Sequence, residues 1–203
     1  MRSSKQSLSR NRQGFTLMEL LIVISIMALL AGLVAATAQS MNRAARAKKA
    51  VTQIAAMETG LESYKVDYGE YPEAKGSSKM DFEGSGSYNV SGARMLYQAL
   101  SGDGSDAISG TEGSASNGQM GDTTDGEIYL PYLDPENNSQ NMVANEEEDY
   151  YLADPFGKPY QYRKAGGPER TNNITYDLWS FGPKEASPSY NPQDHPATWL
   201  TNW

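Results

Sequence analysis

One long apolar block opens the chain and a polar remainder follows it. From Leu20 to Ala36 (LLIVISIMALLAGLVAA) seventeen consecutive residues carry no charge, and between Phe15 and Ala38 the only charged residue is Glu19. About 20 apolar residues cross a bilayer, so this block predicts a membrane-spanning helix. Past Ala38 the pattern changes instead of stopping. Val51, Ile54, Met57, Leu61, Tyr64 and Tyr68 recur at steps of three and four, while Arg43, Arg46, Lys48, Lys49, Glu58, Glu62 and Lys65 fall mostly on other faces. That is the spacing of an amphipathic helix. The first proline is Pro72, so a single helix is predicted from Phe15 to about Tyr68, about 80 Å long at 1.5 Å per residue. Gly32 and Gly60 are its expected weak points, because an interior glycine costs about 1 kcal/mol.

After a stop at Asp67 to Pro72 (DYGEYP) the elements are short. Gly92 to Leu100 predicts a small helix packing Met95, Leu96 and Leu100. Residues 101–126 follow, where Gly, Ser and Asp fill 16 of 26 positions. So little apolar surface predicts a surface loop or a disordered insertion. Glu146 to Asp149 (EEED) reads as a solvated face. Near the end, ADPFGKPYQY over 153–162 predicts a turn feeding a strand, and TYDLWSFG over 175–182 a second strand closed by Gly182. The polar stretch Arg163 to Asn173 between them suits a hairpin.

Charge sorts along the same line. Arg2, Lys5, Arg10 and Arg12 precede the apolar block with no acid among the first fourteen residues, whereas residues 67–203 hold 22 acids against 8 bases. A basic leader and an acidic bulk place the N-terminus on the cytoplasmic side. The net charge of -8 argues against nucleic acid as a partner. With no cysteine, disulfide scaffolds and thiolate metal sites are excluded.

Three readings of the N-terminus stay open on these grounds. One is a cleaved secretory signal with Ala36-Thr37-Ala38 as the small-residue site. Another is an uncleaved single-pass anchor. Neither accounts for Glu19, a carboxylate in hydrocarbon that costs at least about 2–3 kcal/mol if unpaired. The third rests on Gly14-Phe15-Thr16-Leu17-Met18-Glu19-Leu20-Leu21, which resembles the prepilin cleavage and methylation motif of type IV pilins and type II secretion pseudopilins. The resemblance implies a prepilin peptidase that cuts after Gly14 and methylates the new amine of Phe15. It also implies that Glu19 of one copy pairs with the Phe15 amine of a neighbour and sets register in a filament.

Two further segments carry the likeness. Tyr64, Asp67, Gly69, Tyr71 and Pro72 match the Tyr-x-x-Asp-x-Gly-x-Tyr-Pro run that ends the long helix in pseudopilins. Residues 153–162 and 175–182 resemble the D-P-W-G-x-P-Y-x-Y and Y-D-L-x-S-x-G-x-D segments of the major pseudopilin family, with Phe156 in place of Trp and Pro183-Lys184 where the family has Ala-Asp. The expected fold is α+β and type IV pilin-like, a long N-terminal helix packed on a small antiparallel sheet. The resemblance implies calcium in the loop after the last strand, held by several Asp residues and backbone carbonyls. Here that stretch offers only Glu185 and Asp194 as carboxylates, where calcium takes about 6–8 oxygens. The ligand pattern is therefore poor, and Pro183, Pro188, Pro192 and Pro196 with Trp199 and Trp203 are expected to pin the tail instead.

The expected organisation is a leader over 1–14, a membrane and assembly half-helix over 15–38, and an amphipathic half over 39–73. A variable insertion over 74–149 and a C-terminal hairpin with tail over 150–203 complete it. The resemblance implies a filament of like copies, prepilin peptidase, an inner-membrane platform with its ATPase, and minor pseudopilins as partners. It implies a single pass through a bacterial inner membrane with the head periplasmic. A type IV pilin or minor pilin, and a membrane-anchored periplasmic binding domain, are the alternatives; the insertion is longer than a major pseudopilin carries. No enzyme is expected. His195 lacks a nucleophile context, and Gly84-Ser85-Gly86 lacks the lysine and helix of a phosphate loop.

Overall fold

A computed structural model describes residues 15–82, 86–121, 126–146, 149–166, 174–183 and 199–203, and the backbone alone at 35–38. Gly14, Glu185, Asp194 and His195 lie outside the described residues, as do Pro188, Pro192 and Pro196. Helix α1 is continuous over Leu17–Tyr68. The chain divides into two units, 1–42 and 43–203, each described by itself.

In the first unit the described apolar side chains of the helix are uncovered. Every large apolar side chain from Phe15 to Val34 is exposed, Phe15 at 85%.

In the second unit, Ile54, Met57, Leu61 and Tyr64 enter the core as their spacing predicts, together with Ala50 and Gln53. Val51 and Tyr68 depart from the expected stripe and are more than half exposed. Gly60 is in addition a notch. A Cβ there would stand 2.8 Å from Leu100 Cδ2 and 3.3 Å from Leu130 Cγ. The missing side chain lets α2 (Ser91–Ser101) and the 130–133 turn approach α1 closely.

Helix α2 turns its apolar face inward, with Met95, Leu96 and Leu100 fully buried, and ends at Gly102 in the left-handed region (φ 78°). The strands form three small antiparallel sheets among the described residues. β1 (Lys79–Phe82) pairs β2 (Gly86–Asn89), and β3 (Val143–Glu146) pairs β4 (Asp149–Leu152). β5 (Gln161–Lys164) and β6 (Tyr176–Ser180) are the predicted hairpin, in register Gln161↔Trp179 to Lys164↔Tyr176. β7 (Leu200–Thr201) adds to β6. Trp199 packs back as expected: it stacks on Trp179 at 6.0 Å between ring centres and meets Phe181 edge-on at 5.3 Å.

Residues 102–121 of the Gly/Ser/Asp stretch form a surface loop, exposed or half-buried at most positions and tied to α2 by polar contacts. Asp103 is fully buried and accepts from the Tyr97 hydroxyl at 2.6 Å, Asn117 N at 2.8 Å and Gly118 N at 2.9 Å. Gln98 adds bonds to Asp106, Ser116 and Ala107 N, the first and last of these in the one-turn helix α3 (Asp106–Ser109). Polar anchoring thus replaces the apolar burial that composition lacks. Of the EEED run, Glu146 and Asp149 face each other across the β3–β4 ladder, and Asp149 pairs with Arg94 at 2.7 Å.

Candidate functional site

The only charge inside the apolar block sits at the first turn of α1. Thr16 precedes the helix and Glu19 is its third residue. The Thr16 backbone N–H donates to Glu19 Oε2 at 2.9 Å, the Thr16 hydroxyl donates to the same oxygen at 2.8 Å, and Glu19 N–H donates to Thr16 Oγ1 at 3.2 Å. This is a capping box, with each residue satisfying backbone groups the helix leaves bare. The Glu19 charge also lies at the positive end of the helix dipole. Glu19 Oε1 takes no donor among the described residues. Thr16-x-x-Glu19 is legible as a capping box from sequence alone, and Thr16 is the residue the sequence reading passed over.

Around this turn α1 is apolar on all sides. Ser25, inside the block, returns its hydroxyl to Leu21 O at 2.8 Å, so its polar group is satisfied within the helix. Length and composition suffice to cross a membrane.

At the other end of α1, each residue of the Tyr-x-x-Asp-x-Gly-x-Tyr-Pro run has a structural task. Tyr64 is buried and stacks on Tyr68 at 4.3 Å. Asp67 accepts from the Tyr129 hydroxyl at 2.7 Å, and both burial and that bond hold the Tyr129 phenol well above its usual pKa. Gly69 takes φ 80° and returns its N–H to Lys65 O at 2.8 Å, a left-handed cap that needs glycine. Tyr71 donates to Glu62 at 2.6 Å. Its phenol is pushed up to about 12, by burial first and then by that carboxylate. Pro72 O accepts from Tyr162 at 2.8 Å, tying β5 to the helix end.

The turn before β5 is organised by Asp154. Its carboxylate accepts from Ser180 Oγ and from the backbone N–H of Phe156 and Lys158, both at 2.9 Å. Burial raises its pKa against the pull of those bonds. Both oxygens are therefore taken by the protein itself. Among the described residues no three His, Cys, Asp or Glu side chains gather as metal ligands.

Comparison with known proteins places the likeness in the first 81 residues. The prokaryotic N-terminal methylation motif matches residues 9–35, and the family described as type II secretion system protein G matches residues 38–81. The chain is 40% identical over 65 residues to type II secretion system core protein G of Dickeya chrysanthemi, covering 32% of this chain and 42% of that protein. It is 41% identical over 63 residues to the Aeromonas hydrophila protein (31% and 44%) and 40% over 63 residues to that of Vibrio cholerae serotype O1 (31% and 43%). The chain thus spans less than half the length of the curated relatives it matches. No solved structure matches. The matched family consists of structural subunits, not enzymes. The long helix followed by small antiparallel sheets is the α+β arrangement of type IV pilin-like proteins.

Proposed function

We propose that this chain is a prepilin-type subunit of a pseudopilus that drives protein export by type II secretion. It is inserted with residues 1–14 in the cytoplasm and its head in the periplasm, cut by prepilin peptidase between Gly14 and Phe15, and methylated on the Phe15 amine. Copies then leave the membrane and pack through the apolar half of α1. Lateral packing replaces the lipid around side chains that the single chain leaves exposed. In the filament the Phe15 amine of one copy meets Glu19 of the next, so both charges are neutralised only in register. An assembly platform, its ATPase and minor pseudopilins act on this subunit.

The observation that carries the reading is the coincidence of the methylation motif over 9–35 with a glutamate already boxed at the first turn of an uncovered apolar helix. The test is the mass of the mature N-terminal peptide from membranes of the native host. Methylated Phe15 is expected; a start at Gln39 or an intact Met1 would overturn it. One observation favours a second reading, a type IV pilin or minor subunit: the 74–149 segment is large, and its helix α2 shares the core with α1. Loss of export on deletion, with normal surface fibres, separates the first from the second. Absence of the protein from shear-released fibres points to a membrane-anchored binding domain.

A further inference from the structure

Seven residues of α1, 43–49, hold Arg43, Arg46, Lys48 and Lys49. No carboxylate occurs between Glu19 and Glu58, so the helix offers these cations no partner at i±3 or i±4. No ion pair forms to any of them among the described residues; Arg43, Arg46 and Lys48 are exposed and Lys49 is half-buried. They begin five residues past Ala38, on the head side of the apolar block. Lys and Arg are ordinarily scarce on that side. Four bases there match the four of residues 1–14 in number and work against correct insertion, so their presence needs a use.

Their arrangement narrows that use. At about 100° per residue, taking Arg43 as zero, the side chains leave the axis at about 0°, 60°, 120° and 220° in the order Arg43, Arg46, Lys49, Lys48. Arg43 shares the azimuth of the head-packing stripe of Ala50, Ile54 and Met57, and Lys48 points the opposite way. A protein partner covers one side of a helix, whereas the headgroups of a bilayer meet it on every side. The long stems of Lys and Arg also let their charges reach back along the helix toward the interface.

We propose that these four residues form a collar that binds anionic phospholipid headgroups on the periplasmic face and fixes the depth at which the unassembled subunit rides. The inference rests on the membrane-spanning reading of the apolar block. Each base near an anionic surface is worth about fivefold in partitioning, and four together several hundredfold. The contact is screened by salt, so it holds the waiting subunit and still yields on extraction.

The chain has no cysteine, so single spin labels on Leu29→Cys and Gln39→Cys report depth in the full-length protein. The protein is reconstituted in phosphatidylcholine vesicles with and without phosphatidylglycerol. The Leu29 label should sit at lipid depth in both; if it does not, the spanning reading falls. With that met, the Gln39 label should become several-fold less accessible to an aqueous relaxant when phosphatidylglycerol is present. High salt, or Gln at all four collar positions, should erase the difference. A depth indifferent to phosphatidylglycerol, or a dependence that survives the fourfold substitution, overturns the proposal. So does a fourfold variant that keeps its depth but loses cross-linking between copies, which would give the collar to the acidic head of another subunit.

Discussion

Asp103→Ala tests how a stretch with almost no apolar residues comes to be ordered. Three donors converge on that carboxylate, two of them buried, on Tyr97 and Gly118, and one on the exposed Asn117. Stranding a buried donor costs about 1–3 kcal/mol, so the two buried ones would cost about 2–6 kcal/mol. A domain has about 5–15 kcal/mol in all. The segment has a cheaper outcome, however. Residues 104–121 can leave α2 and give the Asn117 and Gly118 amides to water, which limits the loss to the contacts that segment makes. The variant should therefore open locally. Tyr97→Phe removes one bond to a charged acceptor, about 1.5–3 kcal/mol, and leaves both amides held. The assay is hydrogen exchange by mass spectrometry on the full-length chain in detergent. Amides of 104–121 should lose protection in Asp103→Ala and only partly in Tyr97→Phe, while those of 54–64 in α1 stay protected. Unchanged protection in 104–121, or equal loss in the α1 core, would refute the reasoning.

Gly60→Val should lower the melting temperature of the head, because overpacking against Leu100 and Leu130 costs about 1–3 kcal/mol and exceeds the gain of about 0.5 kcal/mol in helix propensity. Gly32→Ala has nothing within 4 Å to meet and should leave melting unchanged. Glu70 has its pKa lowered, first by the hydrogen bond from Lys164 Nζ at 2.6 Å and then by that charge. A carboxylate depressed in the folded state contributes above its unfolded pKa and loses that contribution as pH falls through the folded one. Glu70→Gln should therefore melt slightly lower than the parent at pH 6, with the two converging below about pH 4. A gap that widens on acidification would reverse the sign argued here.

The sequence shows most where a single period repeats over many residues. Four of the six stripe positions on α1 enter the core, and the 52-residue helix ends at the predicted glycine. Val51 and Tyr68 fail for a local reason, since the apolar face is shared with Ala50, Gln53 and Gly60, whose small or polar side chains carry no hydropathy signal. Gln53 is buried because its amide bridges Gln140 O and the Tyr160 hydroxyl, 107 residues away in the latter case. Such a partner is invisible to any window along the chain. The same holds for Asp103, which reads as one polar residue among many until Tyr97 and Gly118 converge on it. The β1–β2 and β3–β4 hairpins escaped because four-residue strands hold too few alternations to stand out. The N-terminal turn is the opposite case, since Thr16 and Glu19 are three apart and their bonds follow from spacing alone.

That turn bears on how the proposed register could be set. A carboxylate entering hydrocarbon without partners is expensive, yet Glu19 must stay available for a neighbouring copy. The capping box meets both demands, since Oε2 takes both Thr16 donors and Oε1 has none among the described residues. Thr16→Val removes the hydroxyl and keeps the shape, so Glu19 Oε2 retains one donor of its two and the helix loses a cap worth about 1 kcal/mol. Processing between Gly14 and Phe15 should continue, because the scissile bond is untouched, while assembly should fall. Thr16→Ser keeps the hydroxyl and should assemble as the parent does. Glu19→Ala, lacking the acceptor altogether, should be processed and assemble worst. If Thr16→Val assembled as well as Thr16→Ser, the box would be a cap and nothing more, and Glu19 would find its neighbour unaided.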